Sequence, residues 1–163
     1  MTKMSTDKGK DVGRRSPNEW RALSWVGLCL VVVGTVDLTM GLYPFDVGVP
    51  EWEYAAIADF LNRVPLLGLG LAFALAAALR RGLRRRALGW STALLALGVA
   101  ILVFGLLHAT NLPLVMVTHG GGVLKMPLYK AMAKTGAQLL VYVPAFIGVG
   151  LYAGRSASRM RAA

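Results

Sequence analysis

The chain has 163 residues, and 56% of them are hydrophobic even before its 19 Gly are counted. An average soluble domain has roughly 45–50% apolar residues with Gly included. The length allows one domain of ordinary size, and charged residues are too few to cover its surface. The composition therefore argues against a soluble globular domain, a disordered chain and a nucleic-acid-binding module.

The charges are unevenly placed along the chain. All 8 acidic residues lie at or before Asp59, whereas 12 Lys and Arg follow Phe60. A mechanism that needs a carboxylate must therefore use the first third of the chain. The single Cys29 excludes an internal disulfide, and two His are too few for a multi-ligand metal site. We predict no metal and no cofactor.

Four apolar stretches are long enough, or nearly so, to cross a bilayer: residues 22–42, 64–79, 87–108 and 136–153. A helix needs roughly 20 residues for this, and backbone groups in lipid must be satisfied within each segment. The sequence predicts an all-α bundle of four transmembrane helices over residues 22–154. Residues 1–21 are predicted to form a basic, disordered cytoplasmic tail, and residues 155–163 a second basic cytoplasmic tail.

The basic residues predict the orientation. The two tails and the segment 80–86 hold 14 of the 18 Lys and Arg, and all three lie on one side of a four-span topology. Loops rich in Lys and Arg stay in the cytoplasm. We therefore expect a multi-pass protein of a bacterial inner membrane with both termini cytoplasmic and with residues 43–62 and 110–134 outside.

Both outer loops contain amphipathic segments. Apolar residues recur at helical spacing in residues 50–62, which predicts a helix lying on the outer membrane surface. The alternative is one long helix that is kinked at Pro65. The second loop has a short apolar piece at 112–117 and a basic amphipathic piece at 124–134, which also suits the membrane surface.

Asp37 is an acid inside a predicted span, where it costs roughly 2.5–3.5 kcal/mol at the bilayer centre. Antiparallel neighbouring helices place Arg63 at a similar depth, so a structural Asp37–Arg63 pair is our first interpretation. Asp59, one helical turn before Arg63, competes as its partner. Hydration of Asp37 near the interface and a proton-carrying or transport role remain open.

Glycines line the faces of two predicted spans. Gly27, Gly34 and Gly41 recur every seven residues, and Gly68 and Gly70 lie in the second span. Small residues let another helix approach closely. We predict that these five glycines are helix-packing positions, against this chain or against a partner.

His108 and His119 are weak candidates for binding a cofactor, haem or metal. His119 precedes three Gly, as in the oxyanion loop of esterases, but the chain has no Gly-x-Ser-x-Gly elbow. A flexible Gly turn with interfacial His side chains is the simpler interpretation.

One stretch resembles the membrane region of HpsJ-like proteins of cyanobacteria, which are associated with hormogonium polysaccharide secretion. The resemblance covers residues 43–69 and rests on Tyr43-Pro44-Phe45, Pro50-Glu51-Trp52-Glu53, Ile57 and Arg63-Val64-Pro65-Leu66-Leu67-Gly68-Leu69. It implies an accessory membrane protein and supplies no catalytic residues.

The leading functional hypothesis is a non-catalytic accessory or scaffold subunit of a larger inner-membrane assembly. Its expected partners are the lipid bilayer and other membrane subunits or a second copy, with no nucleic acid. The alternative is a small transporter or channel that uses Asp37 in a polar path. An enzyme comes third and would have to work with Asp37, Arg63, His108 and His119.

Overall fold

A computed structural model describes residues 17–43, 46, 48–118 and 125–160. These residues form four helices and no strand: α1 (Pro17–Leu42), α2 (Pro50–Arg80), α3 (Arg84–Thr118) and α4 (Lys125–Arg159). Each helix is long and apolar enough to cross a membrane. For the described residues, the prediction of an all-α fold with four helices that are long and apolar enough to span a membrane is confirmed.

The helices are longer than the predicted spans. α2 has 31 residues, and α3 and α4 have 35 each, so they measure about 47–53 Å, against about 30 Å of hydrocarbon. Residues 50–62 continue through Pro65 into the second span, as in the alternative interpretation. Pro65 does not end α2, because Leu61 and Val64 beside it are buried against Ile101 of α3.

The two pieces of the second outer loop are also helical extensions. Residues 112–117 belong to α3, and residues 125–134 form the beginning of α4. In the described residues these two pieces are therefore continuous with α3 and α4, and no separate surface segment is seen there. Packing between α3 and α4 extends outward along their length, where Thr135 and Val115 are still buried, and this packing favours continuous helices.

The membrane-facing ends of the predicted tails are helical as well. α1 begins at Pro17, which suits a first helical position, and Glu19 lies in the positive first turn. The guanidinium of Arg80 lies 5.6 Å from the centre of the Trp20 ring and links this first turn to α2. At the other end, α4 continues to Arg159, because Ala157 remains fully buried.

The four helices do not form a symmetrical bundle. α2, α3 and α4 all contact one another, whereas α1 contacts α2 and neither of the other two described helices. The core therefore lies within the α2–α4 group, where Ala77, Leu94 and Ile101 are almost fully buried. α1 is attached to the outside of this group and leaves a gap between itself and α3.

A tight turn at Gly82 joins α2 to α3. Gly82 has a φ of +67°, the left-handed conformation that a side chain disfavours. The Leu83 amide donates to the Ala78 carbonyl (2.9 Å), and the Gly82 amide donates to the Leu79 carbonyl (3.1 Å). This is a Schellman motif, and it keeps the basic residues on both sides of the turn at one end of the molecule.

One buried hydrogen bond joins α3 to α4. The Ser91 hydroxyl donates to the Gly150 carbonyl at 2.6 Å, and Ser91 is 3% exposed. A Cβ at Gly150 would lie 2.7 Å from Leu95 Cγ and 3.2 Å from the Ser91 carbonyl. The absent side chain at Gly150 therefore lets the two helices approach closely enough for this bond.

Candidate functional site

The contact between α1 and α2 is made backbone to backbone. A Cβ at Gly27 would lie 2.7 Å from the Gly70 carbonyl and 2.8 Å from the Ala74 amide. A Cβ at Gly70 would in turn lie 2.8 Å from the Gly27 carbonyl. Neither position has room for a side chain, so these two glycines set the distance between the helices.

The other predicted packing glycines also face helices of this same chain. A Cβ at Gly34 would lie 2.8 Å from Leu67 Cδ2, and one at Gly68 would overlap the Phe146 ring of α4. The structure therefore assigns this surface to internal packing. Of the two alternatives for these glycines, the contacts are those of packing within this chain.

Arg63 lies between two carboxylates, in the half of the α1–α2 contact that is nearer to the connection between these helices. Its Nε donates to Asp59 Oδ2 at 2.9 Å, one helical turn earlier in α2. Its Nη1 contacts Asp37 Oδ1 of α1. Asp37 and Asp59, the two candidate partners of Arg63, therefore both contact it.

Gly41 makes the space for this charge cluster. A Cβ at Gly41 would overlap Asp59 Oδ2 and would lie 2.9 Å from Arg63 Nη2. The third glycine of the heptad series is thus packed against polar groups, whereas Gly27 and Gly34 meet backbone and an aliphatic side chain. The same spacing in the sequence serves two different purposes.

The cluster is accessible and carries an excess of negative charge. Two carboxylates face one guanidinium, and the Asp37 side chain is 49% exposed. Arg63 lies 17 positions before Arg80 (80 − 63), which places it about 26 Å from the end of α2 at the Gly82 turn. This arrangement can hold a cation or a proton, and it also ties α1 to α2.

His108 is a core residue in the structure. It is fully buried in α3, and its ring stacks on Tyr54 of α2 with centroids 3.9 Å apart and planes at 21°. Among the described residues, neither its ring nitrogens nor the Tyr54 hydroxyl has a well-formed hydrogen bond. His108 is therefore packed between α2 and α3, which differs from the interfacial side chain expected from the sequence.

His119 lies outside the described residues. In the part of the chain that the structure describes, no three His, Cys, Asp or Glu residues form a group that could hold a metal. Cys29 is exposed on α1.

An apolar groove lies between α1, α2 and α3, at the end of the molecule remote from the Gly82 turn. It has a volume of about 380 Å³ and is lined by aromatic and aliphatic side chains, with Glu53 and Asn111 as its polar members. Phe60 and Phe104 meet edge to face across it, with centroids 4.8 Å apart. Asp37 is not among its lining residues.

Sequence reasoning missed Tyr54 and Ser91. Tyr54 precedes the end of α2 at Arg80 by 26 positions (80 − 54), and His108 follows the start of α3 at Arg84 by 24 (108 − 84). Antiparallel helices joined by a short turn bring such positions to the same depth. Counting residues from the basic turn along both helices would have predicted that Tyr54 and His108 lie at the same depth. No pattern in the sequence predicts the hydrogen bond from Ser91 to a backbone carbonyl.

Comparisons with protein-family models, with curated proteins and with solved structures find no match to this chain. The resemblance of residues 43–69 to HpsJ-like proteins stays a prediction from the sequence.

Proposed function

We propose that this chain is a non-catalytic subunit of a larger inner-membrane assembly and that α4 binds a transmembrane helix of another subunit. The observation that carries the proposal is the face of α4 that is turned away from the other three helices. Ala137, Val141, Ala145, Gly148 and Tyr152 are spaced at helical intervals on this face, and all are exposed. A Cβ at Gly148 would meet nothing within 4 Å.

The outward face of α1 differs and serves as an internal comparison. Val32, Val33 and Val36 are each more than half exposed, and such branched aliphatic side chains suit contact with lipid. The α4 face has one such residue, Val141 (60% exposed), together with small residues and the large Tyr152, which is 73% exposed. Small residues favour close approach of another helix in a membrane, where lipid tails satisfy large apolar side chains equally well.

We extend the proposal to the outer ends of the helices. Met126, Tyr129, Lys130 and Lys134 are exposed along the first turns of α4, and apolar and basic side chains alternate there at helical spacing. This amphipathic end gives the partner a second contact next to the membrane. The Lys residues form a positive patch on this surface, and the acidic residues Asp46 and Glu53 near the start of α2 form a negative one.

The proposed orientation has both termini and residues 80–86 in the cytoplasm, following the distribution of basic residues. Asp46 is exposed between α1 and α2, so a single Cys at this position in a Cys29→Ser background is accessible to a membrane-impermeant maleimide. We expect Asp46→Cys to label from outside and Arg85→Cys only after the membrane is opened. The reverse pattern would show that the orientation is inverted.

The experiment for association compares three substitutions by purification from native membranes in mild detergent. Ala145→Leu and Gly148→Leu fill the proposed contact face and should lose the co-purifying membrane protein. Ala96→Leu is the matched control, because Ala96 is exposed on α3 outside this face. Equal retention of partners by all three variants, or a wild type that purifies as a monomer with no partner, contradicts the proposal.

A small transporter or channel is the second candidate, and the excess carboxylate of the Asp37–Arg63–Asp59 cluster favours it. A half-exposed acid within a span can exchange a proton or a cation with a water-filled path. Protein reconstituted alone into vesicles would then move protons or cations, and Asp37→Asn would fold normally and abolish the flux. An Asp37→Asn variant whose vesicles behave like wild type removes this candidate.

A further inference from the structure

A second groove lies at the inner end of the molecule, in the gap between α1 and α3. It has a volume of about 640 Å³, which lies within the usual range for a small-molecule site of roughly 300–1,000 Å³. One wall is formed by Arg21 and Trp25 of α1 and the other by Arg86 and Trp90 of α3, with Arg81 at the α2–α3 turn. The groove exists because α1 packs against α2 and does not contact α3.

The charge on this groove is of one sign. Arg21, Arg81 and Arg86 come from three different elements, and all three are exposed. Among the described residues that line the groove, none is acidic. Three guanidiniums brought together in this way are complementary to a phosphate group.

The groove is graded from polar to apolar with depth. Leu28 lies seven positions beyond Arg21 in α1 (28 − 21), and Ala93 lies seven beyond Arg86 in α3 (93 − 86), so both walls extend about 10 Å inward from their Arg. Along this distance the lining changes from guanidinium groups to Trp rings and then to aliphatic groups. Trp at the level of lipid headgroups is typical of a membrane interface.

We propose that this groove binds an anionic phospholipid. Arg21, Arg81 and Arg86 hold the phosphate of the headgroup, and an acyl chain lies against Trp25, Leu28 and Trp90. The depth grading matches the order of groups in a phospholipid, whereas a free phosphate has no use for the apolar part. Trp25 is 68% exposed, so the groove is open on the side where lipid would enter. This site is independent of the proposed contact face on α4.

The test uses Trp fluorescence in vesicles with a Trp20→Phe, Trp52→Phe background, which leaves the two groove tryptophans as reporters. Brominated acyl chains, which quench Trp by contact, are placed either on phosphatidylglycerol or on phosphatidylcholine at equal mole fraction. We expect stronger quenching by the brominated phosphatidylglycerol. A basic residue near an anionic lipid surface contributes about 1 kcal/mol, or roughly fivefold in binding, so Arg21→Gln, Arg81→Gln, Arg86→Gln together should abolish the preference.

The matched control removes three charges from the same end but outside the groove: Arg85→Gln, Arg155→Gln and Arg159→Gln, all at exposed positions. We expect this variant to keep the preference. Equal loss in both triple variants would show general attraction to a charged surface and overturn the proposal, and so would loss of the preference on adding inorganic phosphate. If the groove triple variant does not fold, Arg86→Gln alone replaces it, and an unchanged preference in that variant counts against the site.

Discussion

Arg63 of α2 holds the carboxylate of Asp37 of α1, and through the same guanidinium it holds Asp59 one turn earlier in its own helix. The two contacts are not equivalent. The Asp59 contact lies within one helix, whereas the Asp37 contact joins two helices. Arg63 is therefore the shared partner of both carboxylates. Without its positive charge, the two carboxylates would only repel each other.

This geometry predicts an order of stability among charge-neutralising variants. Arg63→Gln leaves two carboxylates near the hydrocarbon without their cation and should lower the thermal midpoint in detergent most. Asp37→Asn should lower it less, because Asp59 still pairs with Arg63. The double variant Asp37→Asn, Arg63→Gln should regain part of the loss from Arg63→Gln alone. Additive losses would mean that the two residues act independently.

Gly27→Ala is predicted to destabilise the contact between α1 and α2 by about 1–3 kcal/mol, the usual cost of overpacking. Its new methyl group would meet the Gly70 carbonyl and the Ala74 amide, and backbone atoms cannot rotate away. Gly136→Ala is the control, because nothing lies within 4 Å of its added Cβ. Denaturation in mixed micelles measures both variants, and equal stability would show that the helices are not in backbone contact.

His108→Phe is predicted to raise the free energy of unfolding by about 1 kcal/mol, because it keeps an aromatic ring on Tyr54 and removes two buried polar atoms. His108→Ala should instead cost about 3–5 kcal/mol by leaving a cavity, by analogy with other aromatic deletions. The same denaturation measurement distinguishes them. A marked loss of stability in His108→Phe would show that a ring nitrogen has a hydrogen-bond partner or a ligand.

Ser91→Ala is predicted to lower the free energy of unfolding by about 0.5–1.5 kcal/mol, the size of hydrogen bonds between helices in membranes. Its hydroxyl joins α3 to the Gly150 carbonyl of α4 and is buried. Thr92→Ala is the neighbouring control, because the Thr92 hydroxyl bonds only to the Leu88 carbonyl of its own helix and is exposed. Similar effects of the two substitutions would contradict the role of Ser91 in joining the helices.

The number and order of the helices followed from apolarity, because each span needs a long run of residues that lipid can accept. Their outer ends did not follow. Residues 50–62 and 125–134 are amphipathic, and the same pattern describes a helix on a membrane surface and a helix packed on its neighbours. Burial of Tyr54 against His108, and of Thr135 in α4, decides between the two, and the amphipathic pattern alone predicts neither burial.

The glycine spacing predicted close packing but did not identify the helix that packs. Gly27 and Gly34 face α2 because the chain returns directly after α1, and a short connection favours neighbouring antiparallel helices. At Gly41 the missing side chain leaves room for Arg63, whose ion pair with Asp37 also holds α1 against α2. The open side of α4 had no distinguishing signal, since Gly148 looks in the sequence like the fully packed Gly150 two positions later.

The attachment of α1 to α2 alone also has a consequence for the order in which the chain assembles during synthesis. The α1–α2 pair is complete as soon as the second helix enters the bilayer, because none of its contacts waits for later segments. The interior of α2 that faces α3 and α4 stays uncovered until the last helix arrives. The early pair therefore protects one side of α2, and the charge cluster around Arg63 needs only the first two helices to form.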